Sequence, residues 1–185
     1  MVASASGEFR PLRRVEYEQL TALGAFGEER IELLDGVLVP MSPIGPRHSS
    51  AVDLLTLLLV RALGDRARIR VQNPFGASDV SEPQPDVLVA PLRSYSDAHP
   101  TEALLVIEVA ESSLARDRGQ KLRICAERNI PEYWIADVVS RRIEVHRDPE
   151  PAHGAYRSAR FFEPAEEIAL AAFPDVSVRV ADVLG

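Results

Sequence analysis

Ala103-Leu-Leu-Val-Ile-Glu-Val-Ala110 is apolar at every position except Glu108. A compact apolar run of this length reads as a central β-strand covered on both faces. Asp86-Val-Leu-Val-Ala90, which follows Pro85, has the same character. Two buried strands require covering helices. Between His48 and Leu63 the apolar residues Val52, Leu55, Leu58, Leu59 and Ala62 recur at helical spacing, with Gly64 as the stop. Ser112 to Arg128 is a second helical stretch, opened by serines able to cap its free N–H groups.

Farther out, residues 67–73 alternate polar and apolar like a half-buried strand. After the break at Pro131, Tyr133 to Ala136 reads as a buried strand, and Arg142 to His146 alternates as its neighbour. Residues 155–162 and 167–171 suggest further strands, and Arg179 to Leu184 a short C-terminal helix. On the N-terminal side, two apolar runs flank Asp35-Gly36 between Arg30 and Met41, the pattern of a β-hairpin with a type I′ turn. Val15 to Leu23 suits a short amphipathic helix with Leu20 and Leu23 facing inward, and residues 1–10 read as a flexible leader. No repeat, low-complexity segment or long linker divides the remainder. Residues 11–185 are therefore expected to form one α/β (α+β) domain, a mixed sheet with at least two packed helices.

The bulk numbers exclude several classes. With 46% hydrophobic and 26% charged residues among 185, the chain is neither disordered nor fibrous. The single cysteine, Cys125, excludes an internal disulfide framework and a cysteine-based zinc site, and fits a cytoplasmic protein. No stretch approaches the roughly 20 apolar residues of a membrane span, and Met1 to Gly7 lacks the order of a signal peptide. The net charge of −7 means that any nucleic-acid contact must come from local basic patches or metal ions. Arg61, Arg66, Arg68 and Arg70, with Arg141 and Arg142, are the basic clusters available, and surface solvation also explains them.

Chemistry concentrates in the two apolar runs. A carboxylate near the end of a buried strand is costly unless it is paired or binds a cation. If the two strands are neighbours, Asp86 and Glu108 can converge on one Mg²⁺, an ion that prefers oxygen ligands and keeps several waters. Such an ion polarises a phosphoryl oxygen and turns a bound water into a nucleophile. Asp117 and Lys121 stand at i, i+4 and share a helix face, from which Lys121 could stabilise phosphorane charge. The same spacing also serves a solvated helix face, and a strand-end acid such as Asp86 is also a common loop or capping residue. Trp134 reads as core or interface. His99, His146 and His153 fall in loop or edge contexts and read as structural.

Gln84-Pro-Asp-Val-Leu-Val, Leu105-Val-Ile-Glu-Val-Ala-Glu-Ser-Ser, Arg116-Asp-Arg-Gly-Gln-Lys-Leu and Ile130-Pro-Glu-Tyr-Trp-Ile-Ala-Asp137 together resemble the Uma-two family of restriction-endonuclease-like domains, within the PD-(D/E)XK nuclease superfamily. The likeness begins at Glu32-Leu-Leu-Asp-Gly-Val-Leu-Val-Pro-Met-Ser-Pro43 and His48, and runs to about residue 146. The resemblance implies a restriction-endonuclease-like mixed central sheet flanked by helices, with an N-terminal β-hairpin. It implies catalytic Asp86, Glu108, Lys121 and Glu32, with Mg²⁺ (or Mn²⁺) held by Asp86, Glu108 and the backbone carbonyl of Val109. His48 and Asp117 would position substrate. DNA is the implied substrate and a homodimer the implied assembly. Two positions depart from the pattern. Ala110 stands where the superfamily carries its lysine, a role that would pass to Lys121 on the following helix. Cys125 replaces a tyrosine and reads as a small buried apolar residue. Three functions stay open at this level: a metal-dependent endonuclease, a catalytically inactive binding or assembly module of the same fold, and a hydrolase of another phosphodiester.

Overall fold

The computed structural model describes residues 10–185. The leader expected over residues 1–10 lies outside the described residues except for Arg10, whose guanidinium pairs with Glu16 at 2.9 Å. A six-stranded sheet runs β3 (Ala67–Val71), β4 (Val87–Pro91), β5 (Leu105–Ala110), β6 (Glu132–Asp137), β7 (Arg142–Glu150), β8 (Ala155–Phe162), in that spatial order. Only β5 and β6 pair in parallel, and every other neighbour is antiparallel. The mixed sheet flanked by helices is thus present, and the two apolar runs are adjacent, with Val87 opposite Ile107.

The pleat sends alternate residues of each strand to opposite sides. On one side Val87, Val89, Leu105, Ile107, Val109 and Trp134 pack under helix α2 (Pro46–Leu63), through Val52, Leu55, Leu59 and Leu63. A small antiparallel pair, β9 (Glu167–Ala169) and β10 (Ser177–Arg179), and helix α5 (Val180–Leu184) complete that layer. On the other side Leu88, Val106, Ala110, Tyr133 and Ile135 pack against Ile124 and Cys125. Cys125 is buried, as its apolar neighbours require. Glu108 alternates with Val106 and Ala110, so the pleat aims its carboxylate into this second layer.

The second helical stretch is not a uniform helix. Short α3 (Leu114–Arg116) passes through a π turn at Asp117–Lys121 into α4 (Leu122–Glu127). The serines do not cap it: Ser113 makes no side-chain cap hydrogen bond and its hydroxyl donates to the Asp117 carboxylate instead, at 2.6 Å. A π turn adds one residue to the helical circuit, and here that keeps Asp117 and Lys121 both buried.

The hairpin forms as its sequence demands. In β1 (Ile31–Leu34) and β2 (Val37–Pro40), Leu34 pairs with Val37, and Asp35 and Gly36 both take positive φ, 53° and 76°. Gly36 has a second reason to be glycine, since an added Cβ would lie 2.3 Å from Pro11 Cβ. Helix α1 (Arg14–Ala22) turns differently from expectation: Tyr17 is the buried residue and Leu23 is 82% exposed. The aromatic ring takes the inward position because its hydroxyl can donate to the Ile31 carbonyl at 2.7 Å. Strand β3 ends two residues earlier than expected, since Gln72 takes φ 50°. His146 is buried on interior strand β7, not in a loop or at an edge, and packs beside Tyr133 and Tyr156.

Backbone bonds between Leu33 and Glu82 tie the hairpin to the body. The Glu82 side chain is buried, with Arg14 Nη1 at 3.8 Å. Burial and the nearby Glu18 carboxylate push its pKa up to about 7 from the usual 4.5. A carboxylate held above its unfolded value binds more protons in the folded state, so its contribution is present below about pH 4.5 and is lost as pH rises through about 7. Glu82→Gln should therefore gain stability over the native chain by roughly 2 kcal/mol at pH 8 and show little difference at pH 4. Denaturant midpoints at the two pH values measure this, and an equal difference at both would contradict it.

Candidate functional site

The sequence-predicted residues meet in one cleft. Glu32, His48, Asp86, Glu108, Val109, Asp117 and Lys121 all line a cavity of about 60 Å³ at the end of the central strands. Five separate stretches supply them: Glu32 from β1, His48 from the first turn of α2, Asp86 from just before β4, Glu108 and Val109 from β5, Asp117 and Lys121 from the π turn.

Asp86 precedes β4 and is fixed on several sides. Its Oδ2 accepts the Val109 N–H at 2.8 Å and lies 3.0 Å from His48 Nε2, and its Oδ1 accepts from Gln72 Nε2 at 3.2 Å. Burial raises the Asp86 pKa, but His48, the Val109 N–H and Gln72 outweigh it and hold it below the usual carboxylate value. His48 is raised in turn by its bond to Asp86, against burial. The Val109 carbonyl has a separate freedom. Continuing the β4–β5 register past Val87–Ile107 puts Pro85 opposite Val109, and proline has no N–H to offer it.

Lys121 gathers the other acids. Its Nζ donates to Glu108 Oε2 at 3.1 Å and lies 3.3 Å from Glu32 Oε2. Glu32 Oε2 also accepts the Gln84 N–H at 3.2 Å. Burial works against the ammonium, yet Glu108, Glu32, Asp117 and Asp86 outweigh it and raise the Lys121 pKa. Burial pushes Glu108 well above its ordinary value, with Lys121 opposing and the neighbouring carboxylates adding to the rise. Burial is the leading cause for Glu108, whereas for Lys121 the surrounding carboxylates overcome it. Five carboxylates line the cleft (Glu32, Asp86, Glu108, Glu111, Asp117) against the permanent cations Arg30, Arg116 and Lys121.

Ala110 shares the face of Glu108, and Lys121 reaches that carboxylate from across the layer. Sequence reasoning overlooked Gln72, Glu111 and Arg116. Glu111 and Arg116 lay within recognised motifs, but Gln72 gave no local signal because it is placed by the left-handed end of β3. Of the other histidines, His99 is partly buried and His153 is exposed, and neither lines the cleft. Glu132 is a satisfied core acid, holding Trp134 Nε1, Arg147 and the Ala171 N–H.

Among the described residues, no three His, Cys, Asp or Glu side chains are close enough to cage a metal by themselves. The donors present are nonetheless oxygen atoms suited to Mg²⁺, which is bound through one or two carboxylates and keeps its remaining waters. Asp86, Glu108 and the freed Val109 carbonyl match that requirement.

A family described as "Putative restriction endonuclease", Uma2, matches residues 14–181. The chain belongs to the Uma2 family. No curated protein matches it. Among solved structures, a protein described as a "putative nuclease belonging to DUF820" from Anabaena variabilis ATCC 29413 shares the fold, with a TM-score of 0.72 at 15% identity. The match covers 94% of this chain and 98% of that one. Family and fold together support a nuclease.

Lys121→Met should destabilise the fold by about 3–5 kcal/mol, because it leaves Glu32 and Glu108 buried without their cation. Adding Glu108→Gln should recover part of the loss, since one of the stranded charges is then gone. Denaturant unfolding of both variants measures it, and a double variant less stable than the single would contradict the pairing.

Proposed function

We propose that this chain is a Mg²⁺-dependent endonuclease, also served by Mn²⁺, that hydrolyses DNA phosphodiester bonds. The observation behind this reading is the convergence of Asp86, Glu108 and Lys121 in a cleft with surplus negative charge. Asp86, Glu108 and the Val109 carbonyl would hold the ion, which when bound polarises a phosphoryl oxygen and acidifies water. In the hydrolysis a water oxygen bonds to phosphorus and the bond to a sugar oxygen breaks, its electron pair leaving on that oxygen. The proton lost by the water is balanced by the proton that the sugar oxygen gains as it becomes a hydroxyl. His48, Gln72 and the Val109 N–H keep Asp86 ionised and aimed. The Lys121 ammonium, held cationic by Glu108, Glu32 and Asp117, would stabilise the charge that builds on the phosphoryl group. His48, at the start of α2, would position substrate through Asp86, from which its Nε2 lies 3.0 Å.

A second reading, an inactive binding module, is favoured by one observation: Glu108 already has a cation, Lys121, at 3.1 Å. Supercoiled plasmid separates the two. The native protein should nick it in Mg²⁺ or Mn²⁺ and not in EDTA, while Asp86→Asn and Glu108→Gln should each lose at least about 100-fold in rate. Both substitutions keep the side-chain shape and one of the two acceptor oxygens, and thermal unfolding can verify that the variants are folded. Folded native protein that leaves plasmid intact in both metals would end the nuclease reading.

Cleavage of two strands favours two chains, and the outer face of α2 suits a second copy. Leu54, Leu57 and Val60 are exposed there in a stripe. In an antiparallel pairing about Leu57, Asp53 of one copy meets Arg61 of the other, and neither has an ion-pair partner among the described residues. The native chain should sediment as a dimer, and Asp53→Arg should weaken it at least ten-fold. Adding Arg61→Asp should restore it, and failure of that swap would exclude this surface. A cytoplasmic location completes the reading and rests on the free thiol of Cys125.

A further inference from the structure

Two arginines on edge strand β3 have no ion-pair partner among the described residues. Arg68 and Arg70 lie opposite Ala90 and Leu88, so the pleat sends both toward the sheet face that carries Glu108. Neither forms an ion pair with any described carboxylate, and Arg70 Nε is buried without a hydrogen-bond partner. Two arginines near them are compensated instead: Arg66 pairs with Asp175 at 2.8 Å and Arg93 with Glu102 at 2.9 Å.

The local architecture fixes the Arg70 guanidinium in place. It stacks over the Tyr95 ring at 5.4 Å from the centroid, and Arg93 stacks on the same ring at 5.2 Å. Tyr95 is itself held by its hydroxyl, which donates to the Pro91 carbonyl at 3.0 Å. A guanidinium stacked on an anchored ring loses little freedom when it meets an anion. Burial first, then Arg70 and Arg14, hold the His99 pKa below its ordinary value against Glu18.

The strand leads directly to the candidate site. Gln72 follows β3 and donates to Asp86. At strand rise, the Arg70 and Arg68 backbones stand about 7 and 13 Å out from Gln72 along one line. We propose that Arg70 and Arg68 form a track for successive backbone phosphates of a nucleic-acid strand whose scissile group lies at Asp86 and Glu108. The ligand class is the polynucleotide phosphodiester backbone, met without base readout. This rests on the nuclease reading for its direction, though the binding itself does not depend on cleavage.

The test is fluorescence anisotropy of a labelled 20-mer duplex, and of the same strand alone, in EDTA with no cleavage possible. Arg68→Gln with Arg70→Gln should raise Kd at least ten-fold at low salt on two unrelated sequences. The slope of log K against log salt should shrink by about 2, one per lost phosphate contact. A double variant of equal charge away from the track, the cleft and the α2 face, Arg157→Gln on the opposite edge strand β8 with Arg179→Gln on β10, should leave the slope unchanged. The same Kd and slope in both double variants would overturn the track. A track-dependent slope in a protein that cuts nothing would uphold it and count against the catalytic reading alone. Loss confined to the single strand would assign the track to unpaired nucleic acid.

Discussion

One buried ammonium joins the parts of this fold that sequence places far apart. Lys121 comes from the π turn, Glu108 from the middle of the central strand and Glu32 from the N-terminal hairpin, and their charged atoms meet within 3.3 Å. A carboxylate inside an apolar strand is tolerable only where a cation can reach it. The hairpin, in turn, is fastened by few backbone bonds, chiefly those between Leu33 and Glu82 and between Gly36 and Val80. The Glu32–Lys121 contact therefore serves twice. It steadies a peripheral element against the body, and it keeps in the cleft a charge that could assist phosphoryl chemistry.

The π turn is what makes the geometry possible. A regular helix with Asp117 and Lys121 one turn apart places both on a common stripe, which a solvated face would serve equally well. Widening the circuit by one residue lets both side chains be buried while α4 continues to lay Ile124 and Cys125 on the sheet. Tyr133 secures the irregularity by donating its hydroxyl to the Asp117 carbonyl at 3.0 Å. π turns inside α-helices are frequent at functional sites, and the reason is visible here. The turn lets a helix deliver polar groups inward without giving up its apolar contacts.

Much of this was legible in the chain alone. The two apolar runs, the Asp35-Gly36 turn and the heptad-like spacing of α2 follow from rules of period and turn chemistry, and each element lies within a few residues of its expected bounds. Glu108 announced itself by interrupting an apolar strand. What escaped reading depended on tertiary context. Tyr17 took the buried position, leaving Leu20 half-buried and Leu23 exposed, because a distant carbonyl offered it a hydrogen bond. Ser113 abandoned its capping role for a buried carboxylate four residues on. Gln72 joined Asp86 through a left-handed backbone twist that no propensity of glutamine favours.

The cleft draws Glu32, His48, Gln72, Asp86, Glu108 and Lys121 from six separate stretches of chain. No fragment of the polypeptide carries more than part of that set. Docking of the hairpin brings Glu32 to Lys121, and closure of β4 on β5 brings Asp86 to Glu108. A nascent or damaged chain consequently lacks the assembled cleft until nearly the whole domain has folded. For any chemistry that needs all six residues together, such dependence on complete folding is a safeguard built into the topology itself.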